Sequence, residues 1–465
     1  MKELPYNKLR IKCNENIFKF KDTSEVTPFR DIIGQDRAVE SMKFGLRIRQ
    51  KGYNVYMSGV TGTGKTSFAE KYIKSVAETQ KTPDDWCYVY NFTDPTQPIA
   101  INLPAGQGKV FQKDMEELVK ILRTEILKAF DNDEYERSKA KLRKEFRDRK
   151  EELIEKLDEE AEKYDFRVKI TSSGIYFLPI VDGKAINIDD FNELDEEIKH
   201  EISKKSDIIQ IETSDIIRKI RNLEREEIES IEKLENEIAL NVVSEHIKSL
   251  ISKYSDNEKI VRFLNNVQKD ILEDLSSFVE EEESSQQQAM IPWMDKSSEQ
   301  PGEKYKVNLL VDNSKLKGAP VILDFNPTYY NLLGKTEYEN EFGSAVTDYT
   351  MIKPGLFHAA NGGYLILQAK DVLGNVQSWE AMMRVLKTRQ ISIENMGDQM
   401  GIVAVSTLRP EPIPADLKII LIGSEYIYQL LYEYDEDFRK YFKIKVDFDD
   451  EMPRTEENIT KLAGF

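Results

Sequence analysis

Cysteine and histidine are scarce in this chain: Cys13 and Cys87, with His200, His246 and His358, in 465 residues. So few groups, so widely spaced, make neither a disulfide framework nor a zinc cluster. No run approaches the roughly 18 apolar residues that a membrane span requires. The start, Met1-Lys2-Glu3-Leu4-Pro5, has no apolar core of a secretory signal. These absences point to the cytoplasm and to no membrane partner. Positive charge is also in deficit. A net charge of −18 argues against nucleic acid as the main ligand, because phosphate contacts need clustered Lys and Arg. With 40% hydrophobic and 32% charged residues, the chain suits a folded core joined to a large solvated helical part. Its length allows about two or three domains.

Against that background one stretch carries specific chemistry. Gly59-Val60-Thr61-Gly62-Thr63-Gly64-Lys65-Thr66 fits G-x-x-x-x-G-K-[ST], the phosphate-binding P-loop. Asn54 to Ser58 reads as a short buried strand before it. Phe68, Ala69, Tyr72, Ile73 and Val76 recur at helical spacing after it, so Lys65 to Ala77 reads as a helix. Strand, glycine loop and helix aim backbone N–H groups and a helix N-terminus at a polyphosphate. Gly59, Thr61, Gly62, Thr63, Gly64, Lys65, Thr66 and Ser67 are the expected nucleotide-binding residues. Lys65 would reach the β/γ-phosphates of ATP, and the Thr66 hydroxyl would meet Mg²⁺.

The rest of the chain divides by composition. Residues 1–30 carry little signal, and 31–110 hold the P-loop, a helix that the stretch Phe29 to Ala38 opens and that runs toward Arg49, and a strand at Trp86 to Asn91. The Pro95 to Gly108 stretch reads as loop. From 111 to 283 charge rises, and Gly and Pro nearly vanish. Leu142, Phe146, Leu153, Leu157, Ala161 and Tyr164 mark one long amphipathic helix; Ile217, Ile220, Ile231, Leu234 and Ile238 mark another. Phe166 to Ile188 between them alternates as a small β-hairpin. The acidic faces read as solvated surface rather than acid/base chemistry. Residues 284–302 read as a linker. Strand signals return at 307–311, 321–323, 364–367, 390–394 and 418–422, with helices at 356–360, 372–387, 426–432, 437–442 and 455–462.

A hydrolytic P-loop enzyme places an Asp-Glu pair at the end of its third strand, one to order the Mg²⁺ water shell and one to polarise the attacking water. Here Gln368 and Ala369 follow that strand, which weakens or removes hydrolysis unless Asp371 or Asp324 serves instead. Either Asp suits a helix cap or a loop better than a metal partner. Ser424 stands where a polar sensor of the γ-phosphate is expected, and it would also cap the next helix. Arg439 stands where a neighbouring subunit's arginine finger is expected; a surface Arg paired with Asp435 or Glu436 is the alternative.

Several of these segments together resemble the AAA+ module of bacterial Lon-like ATP-dependent proteases, in the subgroup with a long helical insertion. They are Gly52 to Gly59, Leu103-Pro104-Ala105-Gly106-Gln107-Gly108, Ala360-Asn361-Gly362-Gly363-Tyr364-Leu365 and Tyr432 to Arg439, with Ile33-Gly34-Gln35 ahead of the P-loop. The resemblance implies an α/β AAA+ P-loop core, a parallel sheet flanked by helices, interrupted at 111–283 by a coiled-coil-like helical arm with a β-hairpin. The core would resume at 303–450, with a lid beginning at 451–465. It implies a homo-hexameric ring that binds ATP with Mg²⁺, borders the adenine with the Ile-Gly-Gln segment and threads protein substrates, with Tyr349 as a pore-loop residue. Lon-like proteases continue into a Ser-Lys peptidase domain, and no stretch here resembles it, so the chain reads as the motor part of such a protease. A non-hydrolysing ring scaffold is a second reading, favoured by Gln368-Ala369. An enhancer-binding transcription activator is a third, disfavoured by the same pair and by the acidic charge.

Overall fold

A computed structural model describes residues 3–6, 9, 17–26, 32–171, 174–181, 183–186, 191, 194–275, 278, 302–341, 344–394 and 408–464. Cys13 and, save for Gly302, the expected linker at 284–302 lie outside the described residues. The chain divides into two units, residues 1–116 with 303–465, and residues 117–302.

The first unit is built on five parallel strands: β1 (Val55–Ser58), β2 (Val321–Asp324), β3 (Tyr364–Gln368), β4 (Lys418–Gly423) and β5 (Ile444–Asp447). Their order across the sheet is β5-β1-β4-β3-β2. Period-two alternation divides β1 to β4 between two cores, while β5 gives Ile444 and Val446 to one of them and turns Lys445 and Asp447 the other way. Val55, Met57, Ile366, Ile420 and Ile422 pack with Ala38 and Met42 of helix α1 (Asp36–Arg47) and with Phe68, Ala69 and Ile73 of helix α2 (Lys65–Ala77). Tyr56, Leu365, Leu367, Ile419 and Leu421 face the other way, against helices 369–373, 376–388, 425–434 and 436–441. Both faces of β3 and β4 are covered, which is why these strands read as continuous apolar runs.

Three local expectations are corrected. Residues 99–103, read as loop, form a strand paired antiparallel to Asp85–Val89; Pro95 and Pro98 hid its alternation. The single helix expected at 372–387 is two, Ala369–Leu373 and Val376–Thr388, because Asn375 caps the second through Ser378 N. The strand expected at 390–394 is only Gln390–Ile391. The four-residue β5 went unread, since so short an alternation carries little signal.

The second unit is helical. Helices Asp133–Glu162 and Ser214–Lys253 run antiparallel, pinned by Lys139–Glu235 at 3.0 Å and Lys150–Glu224 at 2.6 Å. Eleven residues further along one helix, the partner lies eleven residues back on the other. The expected hairpin carries a short third strand: Phe166–Thr171, Gly174–Val181 and Lys184–Ala185. Among the described residues, no helix is long and apolar enough to cross a membrane.

Candidate functional site

In an open parallel sheet the ligand edge is the carboxyl end of the strands. Here that edge brings together Ser58 at the end of β1, Gly423 opposite it on β4, Asp447 opposite it on β5, and Gln368 opposite Ile422. The P-loop leaves β1 directly. Gly64 is left-handed at φ 81 and forms the N-cap of α2, so the helix N-terminus opens onto the loop. A Cβ at Gly62 or Gly64 would meet nothing within 4 Å. The cradle is therefore open on the side a phosphate would occupy. Lys65 is buried, and its Nζ donates to Gly59 O at 2.8 Å and Val60 O at 2.5 Å. Burial lowers its pKa. The ammonium thus sits within the loop, ready to exchange carbonyl partners for phosphate oxygens.

The loop is held from its β5 side. Phe448 N donates to Ser58 O at 2.8 Å, and a Cβ on Gly59 would lie 2.8 Å from the Phe448 Cβ. One residue on, Asp449 exchanges two bonds with the Gln35 side-chain amide, at 2.8 and 2.9 Å, and pairs with Arg37 at 2.7 Å. The Ile-Gly-Gln segment is thereby fastened to the chain beside the P-loop, although 414 residues separate Gln35 from Asp449.

Gln368 reaches the site: its Nε2 donates to Thr66 Oγ1 at 3.2 Å. It occupies the position of the missing acid and touches the hydroxyl that would meet a metal, but brings no charge. Asp371 lies exposed on the first turn of its short helix, and Asp324 accepts from Asn326 N at 2.7 Å as a turn cap. Ala369 is wholly buried. Among the described residues no group of three or more His, Cys, Asp or Glu side chains could hold a metal. The donor set fits nucleotide phosphates; for Mg²⁺ it offers the Thr66 hydroxyl, the remaining ligands being phosphate and water oxygens.

Ser424 caps helix Glu425–Tyr434, accepting from Ile427 N at 3.3 Å. Arg439 is exposed and lies 5.9 Å over the Tyr432 ring, with no ion pair among the described residues. Asp435, one of its expected partners, accepts instead from Trp379 Nε1 at 2.9 Å and Phe438 N at 2.9 Å. Tyr349 is placed differently from its expected pore-facing role. It is buried, with its hydroxyl 2.7 Å from both Glu303 O and Lys306 O, so its ring offers no surface to a substrate.

A network that sequence reasoning missed stands next to the loop. Glu425 accepts from Ser58 Oγ at 2.6 Å and pairs with Lys445 at 2.8 Å, and Lys445 pairs with Asp447 at 2.8 Å. Burial opposes the charge on Glu425, but hydrogen bonds from Lys445, Ser58 and Gln429 outweigh it and hold the carboxyl below its ordinary range. No short spacing could have revealed a carboxylate 367 residues from its partner.

Residues 317–449 match the LonB-like AAA domain, and residues 85–118 match the Lon-like LonC helical domain. Neither segment includes the P-loop, which rests on its own geometry. No curated protein matches the chain. A crystal structure of NtrX from Brucella abortus aligns over 31% of this chain and 32% of its own, at 18% identity and a TM-score of 0.20, too low to carry an argument.

Proposed function

We propose that this Lon-like AAA+ module binds ATP with Mg²⁺ at the P-loop and serves as the nucleotide-binding, substrate-handling part of a Lon-like ATP-dependent serine protease. The observation that carries this reading is the open glycine cradle, with the Lys65 ammonium inside it and the α2 N-terminus behind it. Backbone N–H groups of residues 61–66 would bind the phosphates, Lys65 would offset their charge, and Thr66 would orient a metal. Magnesium, when bound, neutralises charge between the β- and γ-phosphates. Arg439, with no ion pair among the described residues, would act across a subunit boundary in a hexameric ring, and Ser424 would face the γ-phosphate alongside its capping bond.

Direct titration of a fluorescent ATP analogue tests the core of the reading. A charge-assisted bond contributes about 1.5–3 kcal/mol, so Lys65→Ala should weaken binding by roughly 10- to 100-fold. Equal affinity in parent and variant would refute it.

The Gln368–Thr66 contact supports a second reading, in which nucleotide holds the ring together without being turned over. In that case ATP changes the assembly state of the purified protein while phosphate release stays at the background rate. Sustained turnover returns the argument to a working motor.

A further inference from the structure

The sheet has a second edge. At the amino ends of β1, β3 and β4, away from the P-loop, lies a cleft of about 100 Å³ between the turn after α1, the Gly362-Gly363 turn and the chain entering β4. Arg49, Lys51, Arg389 and Lys418 line it, against the single carboxylate of Asp416. In a chain of net charge −18, that density of positive charge calls for an explanation.

Helix capping accounts for the two ammonium groups. Lys418 donates to Gly45 O and Ile48 O, closing the C-terminal end of α1. Lys51 donates to Lys387 O at 2.9 Å, near the end of helix Val376–Thr388. The guanidinium groups have no comparable duty. Arg49 makes no hydrogen bond or ion pair among the described residues, and Arg389 meets Asp416 only at 3.6 Å. Arg389 is also the C-cap of its helix, left-handed at φ 57. Glycine or asparagine ordinarily fills that position, and a larger residue there is strained.

One wall of the cleft is built by the Ala-Asn-Gly-Gly motif. The Asn361 side chain donates to Pro414 O and accepts from Asp416 N, each at 2.8 Å. Gly362 N donates to Asp416 O at 2.8 Å. This motif thus shapes the amino edge of the sheet, while the P-loop occupies the opposite edge.

We propose that this cleft is a second anion site, which takes one phosphate-type oxyanion between the guanidinium groups of Arg49 and Arg389, with Lys51 and Lys418 adding charge. Guanidinium forks match tetrahedral oxyanions bidentately, and the volume admits a phosphate group rather than a whole nucleotide. Burial, together with the nearby charge of Arg49, brings Lys418 down to about 8. An anion in the cleft relieves that repulsion.

The experiment titrates inorganic phosphate, then pyrophosphate, into the full chain carrying Lys65→Ala, at constant ionic strength, by calorimetry. The Lys65 substitution weakens the P-loop response, and the arginine substitutions leave that loop untouched, so failure here is distinct from failure of the ATP reading. Saturable binding that survives Lys65→Ala, weakens about tenfold in Arg49→Gln and in Arg389→Asn, and tightens in Asp416→Asn supports the site. Asparagine tolerates the left-handed backbone, so the Arg389 variant reports on the guanidinium and not on the turn. Binding that disappears with Lys65→Ala, never saturates, or is unmoved by both arginine substitutions overturns the proposal.

Discussion

Replacing Gly423 by alanine probes how the far face of the sheet supports the nucleotide edge. The added methyl would lie 2.1 Å from the Tyr56 hydroxyl and 2.9 Å from its Cζ. Tyr56 is wholly buried, with its ring 5.2 Å from Tyr428 and 5.8 Å from Phe438, so it cannot simply back away. Its hydroxyl donates to Ser424 O at 3.0 Å, and moving it breaks that bond. Overpacking costs about 1–3 kcal/mol and an unsatisfied buried polar group about 1–3 kcal/mol. The substitution should therefore destabilise the first unit by about 2–6 kcal/mol, a large share of a typical domain stability of about 5–15 kcal/mol. Urea unfolding followed by tryptophan fluorescence reads this cluster, because Trp379 lies 6.4 Å from Phe438. Tyr56→Phe removes the atom nearest the new methyl, so the double variant should be less destabilised than the sum of the singles by about 1–2 kcal/mol. Nucleotide affinity should fall with Gly423→Ala and recover partly in the double variant, since this strand end carries Ser424. Strict additivity, or a Gly423→Ala variant within about 0.5 kcal/mol of the parent, would refute the reasoning.

Other outcomes follow from single contacts. Ser424→Ala should cost about 1 kcal/mol through loss of the helix cap; if ATP turnover and affinity are otherwise unchanged, the γ-phosphate role is ruled out. Gln368→Glu places a carboxylate against the Thr66 hydroxyl and should raise the Mg²⁺ dependence of nucleotide binding by about tenfold, and an unchanged dependence in magnesium titrations counts against the assigned metal position. His358 is wholly buried, and burial lowers its pKa from 6.5 to about 3. The folded state stays neutral where the unfolded chain is protonated, so stability is complete above about 6.5 and is lost as pH falls toward 3. Between pH 7.5 and pH 5 this amounts to about 2 kcal/mol. Urea midpoints of the parent and His358→Asn at the two pH values should differ by that slope, and identical slopes would show that His358 contributes nothing to it.

The P-loop, its strand and its helix were legible because their chemistry is local. Glycine positions, a lysine and a hydroxyl at fixed spacing, and a 3.6-residue period all lie within about two dozen residues of one another. The buried strands Tyr364–Gln368 and Lys418–Gly423 were legible as apolar runs, whereas their parallel arrangement was implied by the family resemblance. Residues 99–103 and β5 were not, because their pairing depends on partners elsewhere in the chain. The site divides in the same way. Sequence determined that a phosphate loop exists and that Gln368 and Ala369 stand where acids would be expected. Tertiary structure decided which distant groups attend it: Glu425 on Ser58, Gln35 on Asp449, Gln368 on Thr66, and Tyr349 in the interior. The first three contacts join residues more than 300 positions apart through strand order and register, and neither order nor register leaves a mark in local spacing.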